Sequence, residues 1–232
     1  MAYAGGRGHR SAKRMPAAKD CSLMWDNADC GQELDCDFVP FEDILTLCRE
    51  AGNPDMVFEF ASTSKITFPG AGISVMACSE ANQAYMQKLM GIQMISYDKV
   101  NQLRHVLYLK DKETTLVLMK KHAQVLAPKF RCVLEKLDTQ IAPLGIATWK
   151  RPKGGYFVSV NTEPGLAKRT LALCKEAGVV MTGAGATFPY GIDPQDSNIR
   201  IAPSLPPVHE LEQAMEIFCT SLKLAALEKL LA

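Results

Sequence analysis

Short apolar runs bounded by turn residues alternate with amphipathic stretches along this chain, and that alternation restricts its fold more than any other feature. Runs of strand length lie at 21–25, 56–60, 73–78, 156–160, 179–181 and 197–202. Between them, 41–52, 80–91, 112–139, 165–177 and 208–231 carry helical periodicity, with Gly52 as a stop and a bend expected at Pro128. Strands and helices taken in turn predict an α/β chain rather than an all-α or all-β one.

Composition narrows the setting. The 232 residues are 47% hydrophobic and 22% charged, which excludes a disordered chain, a collagen or a simple coiled coil. A net charge of +1 makes no global electrostatic case for nucleic acid or a membrane surface. The longest uncharged apolar stretches, such as 70–79, fall well short of the ~20 residues of a membrane span. The eight cysteines are Cys21, Cys30, Cys36, Cys48, Cys78, Cys132, Cys174 and Cys219. They are scattered without a CxxC pair, so they read as reduced structural thiols of a cytoplasmic protein. His9, His105, His122 and His209 show no metal-ligand spacing, and each reads as a structural or solvated residue. Residues 1–19 hold five basic side chains, no acid and no apolar run, and are expected to form a disordered leader rather than a secretory signal.

Three positions could carry chemistry. Lys65 follows an apolar strand, behind Ser62 and Ser64 and ahead of the turn 69–72. The carboxyl ends of strands are where α/β folds place ligands. A partly desolvated amine there suits imine chemistry, and the flanking hydroxyls suit a phosphate. Taken alone, Ser-x-Ser-Lys is more often a solvated loop. Asp26 also ends a strand, where a carboxylate could keep a ring nitrogen protonated, although a turn cap is the commoner role. Arg200 lies inside the apolar run 198–202, where a guanidinium must find a partner. That partner is either a substrate carboxylate or an internal acid.

Five longer stretches tie these positions together: MWDNA (24–28), CREAGNPDMVFEFASTSKITFPGAG (48–72), DKVNQLRH (98–105), RPKGGYFVSV (151–160) and AGATFPYGIDPQDSNIRIAPSLP (184–206). From about residue 15 onward they make the chain resemble the C-terminal half of a fold-type-I pyridoxal-phosphate aminotransferase, most closely the MocR-like aspartate aminotransferase family. The resemblance implies an α/β fold. It would comprise the C-terminal part of a PLP-dependent transferase large domain over 20–111, with a mixed, mostly parallel sheet. A linker helix and an α+β small domain would follow over 112–232. It further implies pyridoxal 5'-phosphate as cofactor. Lys65 would be its covalent anchor and proton carrier, Asp26 the partner of its ring nitrogen, and Ser62 with Ser64 the phosphate ligands. Arg200 would grip the substrate's α-carboxylate. The implied reaction is reversible transamination of an amino acid with a 2-oxo acid, aspartate with 2-oxoglutarate, in a homodimer that binds neither nucleic acid nor membrane and needs no metal.

The chain departs from the family pattern at several places. Asp29 stands where members carry a tyrosine that bonds the cofactor's phenolic oxygen. Gly31 and Gln32 replace an apolar residue and a histidine. Gly72 occupies the place of an arginine found in many fold-type-I enzymes, as it tends to in the MocR-like group. The family's Asn-Pro-Thr-Gly segment and phosphate-cradling loop belong to a half expected ahead of residue 15. Two further expectations therefore stand beside the enzyme: a non-catalytic remnant of an aminotransferase, and a MocR-type effector-binding domain.

Overall fold

The structure is a computed structural model that describes residues 21–28, 30–34 and 41–232. The leader expected at 1–19 and the residue Asp29 lie outside the described residues. The described chain divides into two compact units, one ending at Lys120 and the other running from Lys121 to Ala232.

In the N-terminal unit, β1 (Leu23–Asp26), α1 (Ile44–Glu50) and β2 (Val57–Ser62) form a β-α-β unit, with β1 and β2 parallel. Asp43 starts α1, its carboxylate accepting the amide of Thr46 at 3.0 Å. Gly52 ends it, as its φ of +80° allows the chain to reverse, with Asn53 N–H returning to the carbonyl of Cys48. Ile44, Cys48 and Val57 are buried together, with Leu23, Trp25 and Leu45 packed against them. This small core sits on one face of the sheet. β3 (Ser74–Cys78) adds to β2 in antiparallel register, so the sheet order is β1-β2-β3. The sheet is mixed as expected, but it is evenly divided among the described strands rather than mostly parallel. Two helices follow, α2 (Glu80–Gln93), capped by Ser79, and α3 (Lys99–Leu109), capped by Asp98. The helix α3 had no counterpart in the sequence reading.

The long helix α4 (Lys112–Gln140) contains Pro128 and carries the chain into the C-terminal unit. There β4 (Ala147–Trp149), β5 (Val158–Thr162) and β6 (Asn198–Ile201) form an antiparallel sheet in the order β4-β5-β6. α5 (Ala167–Glu176) and α6 (Val208–Leu231) complete the unit. The register pairs Val158 with Ile201 and Val160 with Ile199, so four aliphatic side chains share one buried face. On α6 the buried residues Leu211, Met215, Phe218, Leu222 and Ala226 recur three and four apart, which makes one continuous apolar stripe. Each large side chain buried in this way contributes about 1.5–3 kcal/mol. Arg169 of α5 clasps Glu228 of α6 through two parallel hydrogen bonds of 2.7 and 2.8 Å.

The strand expected at 179–181 does not form. Gly178, at φ +90°, ends α5, and the amide of Val179 is taken by the carbonyl of Cys174 at 2.8 Å. The segment's backbone serves the helix cap instead of a ladder, and Val180 stays exposed. Likewise the strand expected at 156–160 begins later, at Val158, and runs to Thr162. Among the described residues, no helix is long and apolar enough to cross a membrane.

Candidate functional site

The parallel pairing of β1 with β2 brings the first group of candidate residues to one place. Asp26, the last residue of β1, is in register with Phe60. Ser62, two residues further along β2, therefore faces the same side of the sheet. Leu23, Trp25 and Val57 alternate to the opposite side and supply the core under α1. Both strands end in the same direction, so Asp26 and Ser62 stand at the carboxyl edge of the parallel pair, on the face turned away from α1. The chain then enters a tight turn that holds Ser64 and Lys65.

That turn is built from backbone hydrogen bonds. The amides of Ile66 and Thr67 both reach the carbonyl of Thr63 at 2.9 Å, and Thr63 exchanges bonds with Ile73 through its amide and hydroxyl. The following turn presses closely on it. A side-chain carbon at Gly72 would lie 2.8 Å from Ser64 Oγ and 3.1 Å from the Ser64 backbone. Only glycine lets the two segments approach this far.

Asp26 and Lys65 are both exposed, so the partial desolvation expected of Lys65 is not found. Asp26 Oδ1 accepts the amide of Ala28 at 3.1 Å, the turn-capping role that sequence alone favoured. Such a bond engages one carboxylate oxygen, and the residue keeps its place at the strand end. Ser62 Oγ lies 3.5 Å from the amide of Ser64, a contact at the limit of bonding. Gln32, one of the departures, is buried, and its side-chain amide reaches toward the carbonyl of Lys65 at 3.5 Å.

Arg200 belongs to the other unit. It is opposite Ser159 in the β5–β6 register, on the face away from Val158, Val160, Ile199 and Ile201. Its guanidinium carbon stacks 4.4 Å from the centre of the Phe157 ring. Among the described residues no carboxylate pairs with it, and its Nε is buried without a hydrogen-bond partner. The internal ion pair that would have explained an arginine in an apolar strand is thus not found among the described residues, and its Nε–H is left without an acceptor there. Its neighbour Asn198 is satisfied, accepting from Thr187 at 2.6 Å and donating to Asn161 at 2.7 Å. Thr187 lies in a turn over 184–187.

Two residues without an expected functional role adjoin the lysine turn: Asn101, and His105, which the sequence reads as structural or solvated. His105 is 1% exposed and touches both Thr63 and Thr67 through Nε2, at 3.0 and 2.8 Å. Asn101, one helical turn earlier, donates to the carbonyl of Ala71 at 2.9 Å. The signal in the sequence was their i, i+4 spacing, which puts both on one face of α3. Among the described residues, no group of three His, Cys, Asp or Glu side chains is gathered as a metal site would require.

The sequence model of the family described as aspartate amino-transferase matches residues 3–232. An aspartate aminotransferase of Corynebacterium glutamicum is 47% identical over 221 residues, covering 94% of this chain and 51% of that protein. The crystal structure of an aspartate transaminase from the same species superposes with a TM-score of 0.92 at 46% identity, covering 95% of this chain and 52% of that one. A Thermus thermophilus α-aminoadipate aminotransferase, solved with N-(5'-phosphopyridoxyl)-L-leucine, shares the fold at a TM-score of 0.73 and 21% identity, over 94% of this chain and 54% of its own. The chain spans about half the length of the curated relatives it matches.

Proposed function

Because this chain belongs to the aspartate aminotransferase family, we propose that it carries the pyridoxal 5'-phosphate anchor and the substrate-carboxylate arginine of a transaminating enzyme. The observation that carries the reading is the parallel register, which sets Asp26 and Ser62 on one face with the Lys65 turn directly beyond them. The residues fit the cofactor. Hydroxyls at a strand end suit a phosphate, a carboxylate on the same face suits a ring nitrogen, and Gly72 leaves the phosphate side of the turn tightly closed on Ser64. The unpartnered Nε of Arg200 suits a carboxylate acceptor.

In this reading Ser62 and Ser64 donate to the phosphate, and Asp26 holds a proton on the ring nitrogen by its negative charge. When bound, pyridoxal phosphate supplies an electron sink conjugated to the amino acid's Cα. Lys65 Nζ would hold the cofactor and, as a free amine, would take and return the proton at the amino acid's Cα. Arg200 grips the α-carboxylate and orients the bond to be broken. The substrates proposed are an amino acid and a 2-oxo acid, aspartate and 2-oxoglutarate first, in a cytoplasmic homodimer. The MocR-like group is proposed on the long motif stretches and on Gly72. The boundary near 111/112 between cofactor and small domains is likewise a proposal. The exposure of Asp26 and Lys65 favours a second reading, cofactor capture without turnover.

Absorbance titration with pyridoxal phosphate followed by aspartate separates the two. A new near-visible band that disappears in Lys65→Ala, and that aspartate bleaches, supports the enzyme. A Lys65-dependent band that aspartate leaves unchanged supports capture alone. No band, or one that persists in Lys65→Ala, overturns both.

A further inference from the structure

We propose that His105 is the positioning residue of the Lys65 turn, holding both ends of the turn from the neighbouring helix α3. The inference rests on the reading of Lys65 as the cofactor anchor.

Thr63 and Thr67 bracket Lys65, two residues to either side, and both hydroxyls converge on His105 Nε2 at 3.0 and 2.8 Å. The other ring nitrogen, Nδ1, is 2.9 Å from the carbonyl of Asn101. A carbonyl only accepts, so these partners assign the hydrogen to Nδ1 and turn Nε2 toward the hydroxyls. The Thr67 hydroxyl also lies 3.1 Å from the Thr63 carbonyl, so its one hydrogen serves either that carbonyl or Nε2, and Thr63 Oγ1 receives the Ile73 amide at 3.0 Å. His105 thus joins the end of β2, the lysine turn and the segment before β3 in one network.

The same helix makes a second attachment. Asn101 donates to the Ala71 carbonyl, beside the Gly72 that packs on Ser64. The Phe68 ring packs against the imidazole nearly at right angles, at 81°, with centroids 6.0 Å apart. By contrast, the apolar residues Val100, Leu103, Val106 and Leu107 of α3 are exposed. The helix meets the lysine turn through these polar bonds and, at Phe68, through the Tyr108 ring with centroids 5.6 Å apart and the Arg104 guanidinium 5.8 Å from the ring centre. An imidazole buried in this way and bonded at both nitrogens defines one geometry, because a shift of the turn breaks several buried bonds together.

A lysine on a short tether is a weak cofactor anchor if the tether moves. Holding its two flanking threonines reduces the freedom that must be lost on binding. Two substitutions separate bonding from bulk. In His105→Gln the side-chain amide restores the contact made on the Nε2 side. In His105→Phe the ring fills the same space and bonds to neither threonine.

The test uses the full chain and two independent readings. Hydrogen exchange without cofactor should show the amides of Ile66 and Thr67 exchanging about tenfold faster in His105→Phe, with the β2 amides unchanged. The pyridoxal phosphate concentration that half-saturates the Lys65-dependent band should rise about tenfold in the same variant. His105→Gln should return both toward the starting values, which a merely space-filling role would not do. If His105→Phe fails to fold by circular dichroism, Thr67→Val removes one of the bonds without touching α3 and is read in the same way. A folded variant with unchanged exchange overturns the proposal, as does failure of His105→Gln to rescue. If the unsubstituted chain forms no Lys65-dependent band, the proposed function fails, and the exchange result alone decides the role of His105.

Discussion

A side chain at Gly72 would meet the residue that precedes Lys65. The serine hydroxyl 2.8 Å away can rotate aside, but the Ser64 backbone at 3.1 Å cannot. Gly72→Ala is therefore expected to cost about 1–3 kcal/mol in urea unfolding and to weaken pyridoxal phosphate binding by displacing Ser64. A variant as stable as the parent, with the same half-saturation, would show that the two turns are not tightly packed. Gly72 appeared in the sequence only as the place of a missing arginine. Its steric role depends on a contact between two separate turns of the chain, which no local pattern reports. Arg200 shows the converse. Its cost inside an apolar strand was legible from sequence, and only the structure showed that no ion pair with a described residue offsets it.

At the scale of elements, the start of β6 depends on one acid. Asp193 accepts the backbone amides of Ser197 and Asn198 at 2.8 Å and that of Gln195 at 3.0 Å. These donors hold its carboxyl below the usual carboxylate range, the Ser197 amide contributing most. A carboxylate lowered in the folded state stabilises fully above its unfolded value of ~3.9, and that contribution is lost as pH falls through the folded value. Asp193→Asn should therefore be less stable at pH 7, with the difference from the parent narrowing as pH drops below about 4. Melting curves across that range check it, and a difference that stays constant with pH would refute it. Element prediction failed most at α3, for a specific reason. Its docking face carries Asn101 and His105 while aliphatic residues point outward, so the usual apolar-inward pattern is inverted. The strand expected at 179–181 failed differently, since β-branched residues without a neighbouring strand cannot make a ladder. Helix α6, whose buried stripe follows the helical period, ran over the residues expected.

Across the whole molecule, the described cysteines are all unpaired thiols. Cys48, Cys132, Cys174 and Cys219 are buried, and burial pushes the Cys219 thiol up to about 11. At pH 8 that leaves roughly a hundredfold fewer thiolates than an ordinary cysteine has. A disulfide reagent should label exposed Cys21 first, and the four buried thiols only as urea unfolds the chain, in step with circular dichroism. Rapid labelling of Cys219 in the native protein would contradict the packing of α6. Membership of the aspartate aminotransferase family was readable from motifs because residues 48–72 and 184–206 preserve long contiguous segments. By itself the sequence determined the α/β class, the order of most elements and the identities of Lys65, Asp26, Ser62, Ser64 and Arg200 as candidates, since these depend on local period and motif. Only the tertiary structure decided that Asp26 and Ser62 share a face, that Gly72 closes on Ser64, and that His105 contacts both threonines flanking Lys65. Those relations come from strand register and from contacts between segments distant in the chain, which side-chain pattern along one segment does not encode.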